Sequence, residues 1–202
     1  MKHQKALVYF IAGSILALTV FSIAFSEFRS MNDAQGFSQL WILGYEKKAI
    51  DYVYDLNSSN SFSGKFFVGA RNKLGRNANY SLRVKFCSES AFLPDNANSR
   101  TSPVHSLYQF EFSLPDNGTW ETPLTLTISQ SAFYSVQRNV LNLTNISING
   151  SAISGLNLIL TRSIETDGYP FLIFFELWVY EEPLQESSYH NRFVSLWLNL
   201  QP

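Results

Sequence analysis

The segment 171–180, FLIFFELWVY, decides the fold class of this chain. Read as an extended strand, it is apolar on both faces, and such a strand is stable only when both faces are covered. We therefore predict a central strand of a sheet at this position. Other segments alternate apolar and polar residues, which is the pattern of strands that bury one face. The clearest of these alternating segments are 80–87, 108–114, 124–128, 156–160 and 192–200.

Three further segments have the composition of strands. Residues 37–43 and 48–56 are predicted to be extended, and residues 62–70 are predicted to form a strand. Gly64 and Gly69 lie inside the last of these, and glycine within a strand indicates a bulge or a close approach of another group to the backbone.

Turn signals connect these strands. Residues 72–77, NKLGRN, predict a hairpin-like turn, and Pro-Asp-Asn-Gly at 115–118 predicts a hairpin between 108–114 and 124–128. Residues 131–140 fit either a short helix or a strand. The chain thus offers seven to nine strands and no convincing amphipathic helix, a set that two packed antiparallel sheets satisfy. We predict an all-β chain folded as an antiparallel β-sandwich.

One segment does not belong to such a sandwich. Residues 6–25, ALVYFIAGSILALTVFSIAF, carry no charged side chain, and a helix of this length spans about 30 Å, the thickness of a bilayer's hydrocarbon core. Lys2 and Lys5 precede it, and a cationic flank stays in the cytoplasm. The predicted order is a cytoplasmic tail (1–5), one transmembrane helix (6–25), a polar tether (26–36) and an external domain (37–202).

Alternatives exist for the apolar segment. A cleaved signal peptide is one, since Ala24-Phe25-Ser26 resembles a cleavage site, although the apolar run is longer than the about 7–15 residues usual in such peptides. A pilin-type leader cut near Lys5 is another, because LVYFIAGSILALTVF resembles the start of archaeal pilins and flagellins. Within a retained helix, Gly13 and Ala17 would either seat a partner helix or face lipid.

The composition describes an ordered chain with one core. The high aromatic content (17 Phe, 10 Tyr and 4 Trp) and the low charged fraction of 15% exclude a disordered chain. The net charge of −1 provides no basic field for nucleic acid. Cys87 is the only cysteine, so an internal disulfide is excluded. We expect Cys87 to be half-buried in a strand, with an intermolecular disulfide as the alternative.

Glycosylation sequons occur only after the apolar segment, which agrees with an external domain. Three of them fall within NLTNISINGS, and glycosylation there would require that stretch to be solvent-exposed. The candidate acceptors are Asn57, Asn79, Asn117, Asn142, Asn145 and Asn149.

The sequence shows no catalytic constellation. His105 and His190 lack ligand neighbours at metal-binding spacing, and His3 falls in the predicted cytoplasmic tail. Nucleotide-binding and hydrolase motifs are missing, so no catalytic, cofactor-binding or metal-binding residue is assigned. Glu181-Glu182 is read as a solvated turn. Four tryptophans could stack on sugar rings, but in a chain so rich in aromatic residues the core is the more usual place for them. They are Trp41, Trp120, Trp178 and Trp197.

The beginning of the external domain resembles a known family. FSQLWILG at 37–44, then Lys48-Ala49 and Asp51-Tyr52, is similar to the opening of the external domain in an archaeal membrane-protein family of unknown function, numbered 1616. The strand and Asn-rich turn at 68–84 and the ending LWLNL at 196–200 are also similar. The resemblance implies an immunoglobulin-like external domain and no particular reaction.

This chain departs from the family at two points. Tyr45 and Lys47 stand where the family has Pro and Gly, so we expect that turn to differ. Family members also place several membrane helices before the domain, whereas this sequence predicts one.

Three classes of function follow from these features. The first is a non-enzymatic accessory or structural subunit of a larger membrane complex, with the membrane and other proteins as partners. The alternative is a cell-surface binding or filament component, such as a glycan-binding module, an envelope-layer tether or a pilin-like subunit. A surface hydrolase is the third, without a recognisable site to support it.

Overall fold

The computed structural model of the chain describes residues 36–50, 52, 55–57, 61–129, 133–137, 139–182 and 184–201. From Phe37 onward these residues belong to one compact unit. The predicted tail, the predicted transmembrane helix with Gly13 and Ala17, and all of the tether except Gly36 lie outside the described residues. Among the described residues, no helix has the length and apolarity needed to cross a membrane.

The described residues form thirteen β-strands and one short 3-10 helix, Ser90–Phe92. In chain order the strands are β1 (Phe37–Leu43), β2 (Asp55–Asn57), β3 (Ser61–Lys73), β4 (Ala78–Cys87), β5 (Tyr108–Leu114), β6 (Thr119–Ser129), β7 (Phe133–Gln137), β8 (Val140–Leu143), β9 (Ile146–Ile148), β10 (Ser151–Ile153), β11 (Leu158–Thr161), β12 (Tyr169–Glu181) and β13 (Glu186–Gln201).

These strands make three sheets. The first has the order β1-β3-β6-β9-β10, the second β2-β13-β12-β4-β5, and the third, smaller sheet β11-β8-β7. Neighbouring strands are antiparallel except for the short β2, which runs parallel to β13. The prediction of an all-β chain with antiparallel sheets is confirmed, and a core shared by the two large sheets gives it the character of a sandwich.

Strand β12 is the centre of the second sheet, as its sequence predicts. It pairs with β13 on one side and β4 on the other, and every residue from Phe171 to Leu177 is buried. Its inward side chains meet the first sheet, where the rings of Phe66 and Phe175 pack edge to face with centroids 6.1 Å apart. Its outward residues Leu172 and Phe174 form a second, smaller core.

The alternating segments also bury the faces that their patterns indicate. Tyr80 and Leu82 on β4 and Leu124 and Leu126 on β6 are all buried in the main core. Each of these strands has polar neighbours on its opposite face, so the period of two in the sequence identifies the inward residues correctly.

Both predicted hairpins are wrong. The turn after β3 carries the chain from the first sheet into β4 of the second, and the turn after β5 carries it back into β6 of the first. Residues 115–118 do form a turn, in which the Gly118 amide donates to the Pro115 carbonyl oxygen over 2.9 Å. Both sheets face the same core, so an alternating strand buries its apolar face equally well in either one. The sequence pattern therefore does not specify the neighbouring strand.

A buried asparagine links the two turns at which the chain crosses from one sheet to the other; these turns are called the crossings. The Asn72 side chain is fully buried, and its Nδ2 donates to the carbonyl oxygens of Arg76 (2.7 Å), Leu114 (3.1 Å) and Pro115 (3.1 Å). One amide group thereby satisfies backbone acceptors of both turns, which favours the crossing over a local hairpin.

Three local predictions change. Of the extended piece predicted at 48–56, residues 48–50 form bends and residues 55–57 form β2, while residues 51, 53 and 54 lie outside the described residues. Residues 133–137 are strand β7, which resolves the choice between helix and strand. Gly69 marks a close approach and not a bulge, since β3 pairs with both neighbours without a shift of register. A Cβ atom on Gly69 would lie 2.5 Å from the Trp41 ring.

The shared core gives a prediction for stability. Replacement of Phe175 by Ala removes a fully buried ring between the two sheets and should lower the free energy of unfolding by about 3–5 kcal/mol. The matched control is Phe37→Ala, because Phe37 is 41% exposed and its loss should cost less than about 0.5 kcal/mol. Denaturant titration of the full chain measures both changes. Equal losses for the two variants would contradict a core at Phe175.

Candidate functional site

A long loop covers the outer face of the second sheet. Residues 88–107, here called the cover loop, connect β4 to β5. Leu93 and Val104 of this loop pack on Cys87, Leu172 and Phe174. The loop therefore provides the second cover that an apolar strand such as β12 requires.

A buried ion pair fastens the cover loop. Lys85 Nζ lies 2.8 Å from Glu176 Oε2, and the two side chains are 5% and 0% exposed. Lys85 Nζ also donates to the Ser102 carbonyl oxygen over 3.2 Å, and Glu176 Oε1 accepts from the Ser102 amide over 2.8 Å. The pair thus satisfies both backbone groups of one loop residue, which is the condition under which buried charges are tolerated.

The network extends along the same face to the tip of the loop. Trp178 Nε1 donates to Glu176 Oε2 over 3.1 Å, and the Arg83 guanidinium lies 3.6 Å over the Trp178 ring. Tyr189 packs against Trp178 and donates its hydroxyl to Asn96 Oδ1 over 2.7 Å. Burial, reinforced by the Glu176 charge, raises the pKa of Tyr189, so the phenol keeps the proton that this bond uses.

An apolar cleft opens beside the anchored loop. It has a volume of about 330 Å³ and lies between the cover loop and residues 155–158. Its apolar lining comes from Phe86, Phe92, Val104, Leu107, Leu156 and Leu158. Phe92 is 42% exposed, so an aromatic ring is accessible at this cleft.

Cys87 also lines the cleft, and the structure corrects its predicted half-burial. It is a free thiol that is only 2% exposed, because the cover loop lies over it. Burial raises the pKa of Cys87 to about 11. The thiol is therefore protonated near neutral pH and behaves as an apolar part of the wall.

Two larger hollows lie elsewhere and are more polar. They have volumes of about 430 and 420 Å³ and share Asn79, Ser113 and Tyr180 in their walls. Ser113 Oγ lies 2.6 Å from Asn79 Oδ1, so two of these polar groups already satisfy each other. The smaller, apolar cleft is the better preformed binding site, because its lining is dominated by exposed carbon.

The titratable residues considered from the sequence do not gather into a site. His105 lies exposed at the apolar cleft, and His190 lies on β13, where burial lowers its pKa. Within the described ranges, no group of three His, Cys, Asp or Glu side chains is arranged to hold a metal ion. The predicted turn at Glu181-Glu182 is correct only for Glu182, because Glu181 is the last residue of β12, where it pairs with Arg76 over 3.1 Å at the surface.

The sequon residues occupy different environments. Asn79, Asn117, Asn145 and Asn149 are exposed, and Asn57 lies in β2. Asn142 is buried, and its Nδ2 donates to Asn157 Oδ1 over 2.7 Å. The stretch 142–151 is therefore exposed only in part.

The central residues of this site were not singled out by the sequence analysis. Glu176 is the only charged residue of FLIFFELWVY, and a lone acid in a strand buried on both faces is a sequence signal of a buried partner. Lys85 carries no such signal, since it stands at a polar position of an alternating strand. No protein-family model and no curated protein matches this chain.

The ion pair gives a prediction for the cover loop. Glu176→Gln leaves the Lys85 ammonium buried without a counter-charge and should lower the free energy of unfolding by about 3–5 kcal/mol. It should also speed tryptic cleavage at Arg100, which is exposed in the loop. Glu111→Gln is the matched control, because Glu111 is exposed on β5. Unchanged stability and cleavage for Glu176→Gln would show that the pair does not hold the loop.

The thiol gives a prediction for reactivity. With a pKa of about 11, Cys87 should be alkylated at pH 8 about a hundredfold more slowly than a free thiol of ordinary pKa, because far less thiolate is present. Iodoacetamide labelling followed by intact mass measures the rate, and labelling in denaturant gives the unprotected reference. Complete native labelling at the reference rate would contradict the burial of Cys87 beneath the cover loop.

Proposed function

We propose that this protein is a non-enzymatic, single-span membrane protein whose external sandwich, of immunoglobulin-like type, serves as an accessory or structural subunit of a larger membrane complex. The observation that carries the proposal is the preformed apolar cleft beside the cover loop, which offers Phe92 and a ready pocket to a partner protein.

The strand arrangement supports the immunoglobulin-like type. Two five-stranded sheets share one core, and the chain crosses between them after β3 and after β5. Connections between the two sheets are a feature of such sandwiches.

The turn after β1 supports the family resemblance: Lys47 has φ +59°, a left-handed conformation that the family's glycine would adopt without strain. Tyr45, at the family's proline position, is 64% exposed.

The environment of the cysteine supports an external location. An oxidising compartment modifies accessible thiols, and the thiol of Cys87 is shielded by the cover loop and held protonated.

The apolar segment 6–25 with Lys2 and Lys5 before it supports the single-span anchor and its orientation.

The rigidity of the cleft supports protein binding. The ion pair of Lys85 and Glu176 fixes Ser102, and the Ser102 hydroxyl in turn donates to the Phe92 carbonyl oxygen over 2.5 Å. The wall that carries Phe92 is therefore positioned before a partner arrives. Preorganised apolar pockets with an aromatic residue are typical centres of binding energy at protein interfaces.

Mild detergent extraction followed by native mass measurement tests the proposal. The chain should leave the membrane within a species heavier than its 23.0 kDa monomer. Phe92→Ser should weaken partner retention by about tenfold, since the side chain is lost and its backbone bonds stay. Ile164→Ser is the matched control, because Ile164 is 99% exposed away from the cleft lining and should have no effect. A lone monomer, or equal retention by both variants, would contradict the proposal.

A further inference from the structure

The outer face of the first sheet carries a flat aromatic platform. The pairing registers place Trp41, Gly69 and Glu121 in one row across β1, β3 and β6. Three atoms of the Trp41 ring lie at nearly equal distances, 2.5–2.6 Å, from the position of a Gly69 Cβ atom. The ring face, and not its edge, therefore covers Gly69, and the opposite face of the indole points away from the sheet.

Polar contacts hold this platform in place. Trp41 Nε1 donates to Glu121 Oε2 over 3.3 Å, and Lys47 Nζ lies 2.8 Å from Glu121 Oε1. The Lys47 ammonium also stands 4.8 Å over the Phe67 ring. Hydrogen bonds and charge from Lys47, helped by Trp41, lower the pKa of Glu121, so a carboxylate acceptor stays beside the indole.

Cations surround the platform. The inward residues of β3 are Phe66, Val68, Ala70 and Asn72, so Lys65, Arg71 and Lys73 lie on the outward face. Together with Lys47 and Lys48 of the adjoining turn they face two carboxylates, Glu46 and Glu121. Among the residues that the structure describes, this face therefore has three more cations than carboxylates, on a chain whose net charge is −1.

Three of these cations have no carboxylate partner among the residues that the structure describes. Lys65, Arg71 and Lys73 form no ion pair with any residue that the structure describes. The Lys65 ammonium instead stands 5.7 Å over the Tyr45 ring, and Tyr45 is largely exposed. A second aromatic ring and unpaired positive charge thus adjoin the Trp41 platform.

We infer that this face binds an acidic polysaccharide, a chain of sugar rings that carry carboxylate or sulfate groups. The outward face of the partly buried Trp41 indole would stack on the C–H face of one sugar ring, because the π-face of an aromatic group is negative. Lys65, Arg71 and Lys73 would pair with the acidic groups. Glu121 would accept hydrogen bonds from sugar hydroxyls, which are donors that a phosphodiester group lacks.

This site is on the first sheet and does not share residues with the cleft on the second. Loss of the polysaccharide site would therefore leave the proposed partner-binding function intact, and the reverse also holds. The two are separately testable on the same full-length chain.

Titration of the detergent-solubilised full chain with polygalacturonate tests the inference, with neutral dextran, oligo-dT and anionic lipid vesicles as competing ligands. Polygalacturonate should bind most tightly, and its affinity should fall as salt is raised. Trp41→Ala should weaken binding by about tenfold, and Lys65→Gln by about threefold with a smaller salt dependence. Lys65 is exposed, so this second variant tests the site even where loss of Trp41 affects folding.

Two matched controls lie outside the face. Trp197→Ala removes a tryptophan that is 44% exposed on the second sheet, and Arg162→Gln removes an exposed arginine paired with Asp167. Both should leave the affinity unchanged. Absence of polygalacturonate binding, equal effects of Trp41→Ala and Trp197→Ala, or tighter binding to dextran, oligo-dT or vesicles would overturn the inference.

Discussion

The requirement that β12 be covered on both faces organises this molecule. A strand with seven consecutive buried residues cannot lie at the surface of a two-layer fold, so something must lie over its outer face. The first sheet covers the inner side, and the cover loop of residues 88–107 covers the outer side. Because a loop cannot offer a continuous apolar face, its backbone polar groups need partners, and Lys85 and Glu176 supply them at Ser102.

Local sequence patterns predict where most strands lie and which faces they bury, whereas the pairing of the strands depends on contacts between residues distant in the chain. Strand β1 has the predicted limits, and the inward faces of β4 and β6 follow from alternation. The pairing of strands does not follow from alternation, because a strand in either sheet buries the same apolar face. The two turns between the sheets are linked by a buried side chain, Asn72, whose acceptors lie up to 43 residues away in the chain.

The candidate sites also depend on contacts that the local sequence does not predict. The sequence identifies Trp41 as a residue able to stack on sugars, but its flat placement depends on Gly69 and Glu121, which are neighbours only in the folded sheet. The burial of Cys87 depends on a loop that follows it in the sequence, and local pattern gave only half-burial. Composition set the net charge of the chain, whereas the accumulation of positive charge on one face required the register of β3.

The central claim is that the cover loop is held on β12 by the buried ion pair. Hydrogen–deuterium exchange of the intact chain, resolved to single residues, tests it at the Ser102 amide, which donates to Glu176. We expect this amide to exchange nearly as slowly as the amides of Phe171–Leu177, and far more slowly than amides at the exposed turn 96–99. Exchange of Ser102 at the rate of an unprotected peptide, while β12 stays protected, would contradict the account.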